Sequence, residues 1–154
     1  MAEYSAVAVQ TVNPGESVIF TETAVPCRRG LVRHRDDSGS CLLSGYVPGC
    51  RCACGANRSA GYLVDFGANI AIPTGGTVGP ISLAIAIDGS TLPASTMTVT
   101  PAAVEQFFNV SRAINAEIWR GCCETVTVRN TSDQPILVSG ANIIFTRPDL
   151  NVQR

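Results

Sequence analysis

The chain has no lysine and a single histidine, and charged residues fill only 15% of its 154 positions. Soluble domains average about 25%, so its exterior is poor in the groups that normally keep copies apart. Either much of that surface meets another copy, or it is covered by uncharged Ser, Thr and Asn. Eleven arginines against twelve acids give a formal net charge of −1, which excludes a global field favouring nucleic acid or a membrane surface. No apolar run reaches eighteen residues, so no transmembrane helix is expected. P-loop, GxSxG and HExxH motifs are absent, and no carboxylates pair beyond Asp36-Asp37, so neither catalysis nor a cofactor is expected. No secretory leader is visible, because Met1-Ala2-Glu3-Tyr4 runs straight into an alternating strand pattern. Synthesis in the cytoplasm is therefore expected.

What the chain has instead is sulfur. Of its seven cysteines, Cys50, Cys52 and Cys54 form a CRCAC tract in a Gly/Pro-rich loop, Cys27 and Cys41 precede it, and Cys122 and Cys123 are adjacent. A small β protein that must be stapled, internally or to its neighbours, fits this pattern better than a soluble catalyst. The C-x-C-x-C spacing differs from the C-x₂₋₄-C pairs of structural zinc sites, and His34 is the sole imidazole. Disulfides are the expected use, with a thiolate metal site at Cys50, Cys52 and Cys54 as the alternative. Seven is odd, so at least one thiol is free or joins two chains. Strand alternation gives Cys122 the parity of Val126 and Val128, hence the core, and Cys123 the parity of Thr125, Thr127 and Arg129, hence the exterior. Cys122 is then a buried filler or internal bridge and Cys123 an external or intersubunit link. Both reduced and packed is the other reading. Oxidising sulfur usage after cytoplasmic synthesis is reconciled by a particle assembled inside a cell and later released, such as a spore or virion.

Strand signals dominate. Residues 5–12 and 17–23 read as strands around the Asn13-Pro14-Gly15 turn, followed by 31–35 and 40–43. In the clearest strand, Tyr62, Val64, Phe66, Ala68 and Ile70 share one face while Leu63, Asp65, Gly67 and Asn69 share the other. Residues 81–87 turn Ile81, Leu83, Ile85 and Ile87 inward and Ser82, Ala84 and Ala86 outward, and Asp88-Gly89 closes the strand as a turn. Residues 97–99 continue the pattern. At 101–108, Pro101 near a first helical position predicts one or two helical turns, with strand as the competitor. Residues 109–119, 124–129, 136–138 and 142–146 complete the set. Many short strands at this spacing argue for a sandwich or barrel, and the length for one domain over 1–154.

The runs YLVDFGANI, GPISLAIAIDG, WRGCCETVTVRNTS and ANIIFTRP, preceded by AVQTVNPGESVIFTET, stand in an order that resembles the jelly-roll heads of the tumour-necrosis-factor and complement globular-head superfamily. Within that superfamily the chain is most similar to bacterial heads, those of collagen-like spore-surface (exosporium) glycoproteins and related phage structural proteins. The likeness covers most of the chain. It implies an all-β antiparallel jelly-roll sandwich, a homotrimer, and a structural or binding role without catalysis. The chain carries no Gly-X-Y run, so collagen-driven trimerisation is not implied. The cysteine loop at about 45–61 is an insertion relative to the usual head.

The small outward residues Ser82, Ala84 and Ala86 would allow another layer to approach at about 10 Å, which makes them the first interface candidates. Trp119 is a candidate interface anchor, with a core role as the alternative. The charge-dense stretch RRGLVRHRDD at 28–37 has no interleaved aromatic to stack a base. A salt-bridged strand edge or trimer contact through Arg33 and Arg35 is therefore expected rather than a phosphate, DNA or glycan-carboxylate site. His34 has no nucleophile beside it and is expected at the surface or an interface. Asn57, Asn109 and Asn130 begin chance matches to the N-glycosylation sequon. The reading is a self-assembling, disulfide-linked subunit of a spore-surface layer, fibre or appendage. A phage decoration or fibre protein and a trimeric glycan- or receptor-binding module are the alternatives.

Overall fold

A computed structural model describes residues 1–35, 37–47 and 59–148. Two antiparallel sheets face each other. The first has the order β10 (Phe108–Trp119), β6 (Ser59–Ala71), β12 (Ile136–Thr146), β1 (Ala2–Ala6), β3 (Glu22–Val25), with β2 (Gln10–Val12) added to β12. The second has the order β4 (Val32–His34), β5 (Cys41–Ser44), β11 (Cys123–Asn130), β7 (Ile81–Ile87), β8 (Ser90–Thr91), with β9 (Met97–Val99) added to β7.

The core is the alternation made solid. Tyr62, Val64, Phe66, Ala68 and Ile70 of β6 are buried, and Ile81, Leu83 and Ile85 of β7 meet them from the other sheet. A loop closes one edge. Val18 and Phe20 are buried without belonging to a strand, because the Gln10 side-chain amide accepts from the Ile19 N–H at 2.8 Å and donates to its carbonyl at 2.9 Å. That side chain replaces a strand partner for Ile19, while Ser17 bridges to Arg129 and the Val18 N–H donates to the Val128 carbonyl at 2.8 Å. His34 fastens the same edge: its ring meets Tyr4 edge-on at 4.9 Å and its Nε2 donates to the Phe20 carbonyl at 2.8 Å. It is a part-buried structural tie rather than a surface residue.

At the β7–β8 hairpin, Asp88 and Gly89 have φ of 47° and 81°, the primed turn that the dipeptide encodes. The Asp88 carboxylate then accepts from the Thr125 N–H of β11 at 2.7 Å.

Residues 101–107 do not form the expected helix. Glu105 takes a φ of 56°, and its N–H donates to the Ile72 carbonyl at 2.7 Å. Its carboxylate also accepts from Thr74 Oγ1 at 2.8 Å, so the segment is strapped to the loop after β6. The 5–12 strand is likewise split, into β1 and β2, with Val7 and Val9 exposed between and beside them.

Candidate assembly interface

The outward Ser82–Ala84–Ala86 strip is not an exposed face. Ala84 and Ala86 are 1% and 0% exposed. Arg129 stands opposite Ala84 in the ladder, and its guanidinium donates to the Gly89 carbonyl beyond the end of β7. The arginine stem therefore lies along the strip, and the alanines make room for it. Ser82 is consumed locally, its hydroxyl 2.7 Å from Thr131 Oγ1 and its N–H donating to Ser132 Oγ at 2.8 Å.

The other sheet presents a different surface. The residues of β6 that point away from the core are Ser59, Gly61, Leu63, Asp65, Gly67 and Asn69, none of them buried. Register places Ala113 and Ile144 on either side of Asp65, Ser111 and Asn142 beside Gly67, and Asn115 and Thr146 beside Leu63. A broad depression of about 880 Å³ runs across Asp65, Gly67, Ser111, Ala113, Asn142 and Ile144. The charges on this face are the carboxylates of Glu3, Asp65 and Glu117 and, where it lines the depression, the Arg112 guanidinium; Glu3 and Glu117 already accept from Asn142 and Ser59. Small residues let a second backbone come close, and depletion of charge is what distinguishes the core of a protein interface.

Beside the depression lies the open edge of β10. This twelve-residue strand pairs along its whole length with β6 and with no other strand of its sheet. Long edges invite pairing by another chain unless blocked by charge, proline or a covering segment. Here Arg112 is turned aside, its Nε and Nη2 donating to the Ala94 carbonyl at 3.0 and 2.7 Å.

Two adjacent cysteines stand at the turn that enters β11. Cys122 is exposed and not the buried filler that its parity predicts, because β11 begins only at Cys123 and Gly121, at φ 83°, turns the chain just before. Its N–H donates to the Trp119 carbonyl at 3.0 Å, and its carbonyl accepts from the Gly45 N–H at 2.8 Å. Gly45 has no substitute there, since a Cβ would lie 2.0 Å from the Trp119 carbonyl oxygen. Cys123 is also exposed and pairs with Ser44, while Trp119, 58% exposed, pairs with Ser59. Residues 44–45 and 59, which flank the cysteine tract in sequence, thus both adjoin the Trp119–Cys123 turn. Cys50, Cys52 and Cys54 themselves lie outside the described residues, as does their metal alternative.

Cys27, Cys41, Cys122 and Cys123 are all free thiols, so no disulfide joins these four, and no metal-ligating cluster occurs among the described residues. Burial raises the Cys27 thiol, but the backbone N–H groups of Val32, Leu31 and Arg29 lower it further, for a net lowering. Cys41 is fully buried and its thiol is pushed from 9.0 to about 12 by that burial. Three decades of ionisation alone make Cys41 about a thousandfold slower than an ordinary thiol. Iodoacetamide at neutral pH is expected to modify Cys122, Cys123 and Cys27 and to spare Cys41, as peptide mass spectrometry will show; rapid Cys41 labelling would contradict this packing.

The remaining sequence candidates are separated in space. Arg33 and Arg35 are exposed on the β4 edge, and neither makes an ion pair with a described residue; Asp36, the nearest expected partner, lies outside the described residues. Asn130 is buried and donates to the Val12 and Gln134 carbonyls, both at 2.9 Å, so its side chain is not open to glycosylation. This outer face carries a signal in the sequence, the outward parity of β6, where Asp65 is the one charged residue among mostly small and polar ones.

No family model matches the chain, and no curated protein matches it. Among solved structures it is similar to the Eiger TNF of S. frugiperda, with a TM-score of 0.67 and 10% identity over 95% of this chain and 90% of that one. It is also similar to the globular domain of a zebrafish complement 1qA protein, with a TM-score of 0.58 and 10% identity over 93% and 94%. Murine APRIL gives a TM-score of 0.57 and 12% identity over 95% and 98%. The chain has the all-β jelly-roll fold of the TNF and complement globular domains.

Proposed function

We propose that this chain is a non-catalytic, self-assembling subunit, a homotrimer packed through the outer face of the β10-β6-β12-β1 sheet and stapled to further copies through Cys122 and Cys123. The observation that carries the reading is that face: four strands wide, rich in small residues, charged only at Glu3, Asp65, Glu117 and Arg112, and bordered by a twelve-residue edge that pairs with no second strand among the described residues. A stable interface needs roughly 800 Å² per partner, and a sheet face of this breadth can supply it. The jelly-roll fold supports threefold assembly through the resemblance already noted. Exposed Cys122 and Cys123 beside exposed Trp119 supply thiols that two copies can join once oxidant is present. A cysteine-stapled trimer made in a reducing cytoplasm and then released suits the outer layer, fibre or appendage of a spore. A phage decoration or fibre protein would use the same chemistry.

The cross-linking half is tested on gels. After air exposure the chain is expected to run as covalent multimers without reductant and as a single 16.1 kDa band with it. Replacing Cys122 and Cys123 by serine should shorten the multimer ladder. Identical single bands in both lanes would remove the staple from the scheme.

A further inference from the structure

Between the edge strands β3 and β4 lies a cleft of about 290 Å³, distant in character from the assembly face. Three arginines line it, Arg28, Arg29 and Arg147, and no aspartate or glutamate does so among the described residues. Arg28 and Arg29 are exposed on the 26–31 loop, and their side chains make no ion pair or hydrogen bond with a described residue. Arg147 is 4% exposed and held in place, its guanidinium carbon 5.2 Å from the centre of the Tyr62 ring and its Nη1 donating to the Tyr46 carbonyl at 2.6 Å. The opposite walls are apolar and include Val25 and Phe145.

The loop is held by its own backbone donors. Gly30, at φ 63°, lets the chain reverse so that its N–H reaches the Cys27 carbonyl at 3.1 Å. The same turn aims the backbone N–H groups of Arg29, Leu31 and Val32 at the Cys27 sulfur on the cleft wall. In a chain of net charge −1 this is a local concentration of positive potential. Charge of one sign collected in a low-dielectric concavity is the usual signature of an anion site, and a guanidinium pairs with a carboxylate through two parallel hydrogen bonds.

We infer that this cleft binds a small organic carboxylate, its charge taken by Arg28 and Arg29 over the fixed Arg147 and its apolar body seated against Val25 and Phe145. The volume admits a body of about one ring. This site is independent of trimerisation, because none of its lining residues is used by the assembly face.

The probe is benzoate, titrated into the reduced full-length chain and followed by amide chemical shifts. Saturable shifts centred on residues 27–32 are expected, and the uncharged analogue benzyl alcohol should give none. Arg28→Ala with Arg29→Ala should weaken benzoate at least tenfold, while Arg112→Ala on β10 should leave it within twofold. Both substituted positions of the double variant are exposed, so the fold is expected to survive, as circular dichroism will confirm. Absence of saturation by benzoate, an unchanged affinity in the double variant, or equal binding of benzyl alcohol would overturn the assignment. Inorganic sulfate binding as tightly as benzoate would also overturn it, because the apolar walls would then contribute nothing.

Discussion

Leu63→Asp combined with Ile144→Asp is expected to turn the trimer into monomers without unfolding the chain. Both side chains point away from the core and are half-buried on the assembly face. Ile144 stands opposite Asp65 and Glu3, and Leu63 lies one outward step along β6 from Asp65. New carboxylates there face like charges already on the sheet, and a carboxylate taken out of water without a partner costs several kcal/mol. With two per subunit, the association constant should fall more than about a thousandfold. Thr98→Asp, exposed on β9 of the other sheet, is the control and should leave assembly intact. Analytical size exclusion reads both. A double variant that still assembles would move the interface elsewhere.

The second large effect is alkaline. Cys41 keeps its proton to about pH 12 in the folded chain, whereas the unfolded thiol releases it near 9.0. Between those values the unfolded state binds fewer protons, so stability falls as pH rises, by about 1.4 kcal/mol per unit and up to about 4 kcal/mol in all. Tyr4 acts with the same sign between 10.0 and about 12, raised first by its own burial and then by the charges of Cys41 and Cys27. No lysine titrates in this window; Tyr62, raised by burial, adds to the loss, and Cys27, lowered despite its burial by its backbone donors, opposes it. Urea unfolding of the reduced protein at pH 8 and pH 11 should show a clear loss, and Cys41→Val should abolish most of it. A midpoint that does not move with pH, or moves equally in Cys41→Val, would contradict the buried thiol.

The framework was legible where one physical term dominates. In β6 the alternation of large apolar residues decides orientation unaided, and at Asp88-Gly89 the turn chemistry decides the hairpin. Misreadings occurred where a distant side chain competes. Ala84 and Ala86 look like an open small-residue strip until Arg129, more than forty residues later in sequence, is laid along them. Cys122 loses its core parity because Gly121 turns the chain and β11 begins one residue later than alternation assumes, at Cys123. At 101–108 the local helix signal is overruled by Glu105 reaching the Ile72 carbonyl and Thr74. Local sequence around the arginine stretch shows only its neighbouring acids; in the fold Arg28 and Arg29 border a cleft with Arg147, contributed by a segment over a hundred residues away.

In the proposed assembly, sister chains cover the charge-poor outer face of the first sheet. Sedimentation equilibrium of the full chain in reductant, where no sulfur bridge can hold copies together, tests that most directly. A mass of about 48 kDa, three chains of 16.1 kDa, is the predicted result. A single 16.1 kDa species at tens of micromolar protein would contradict it.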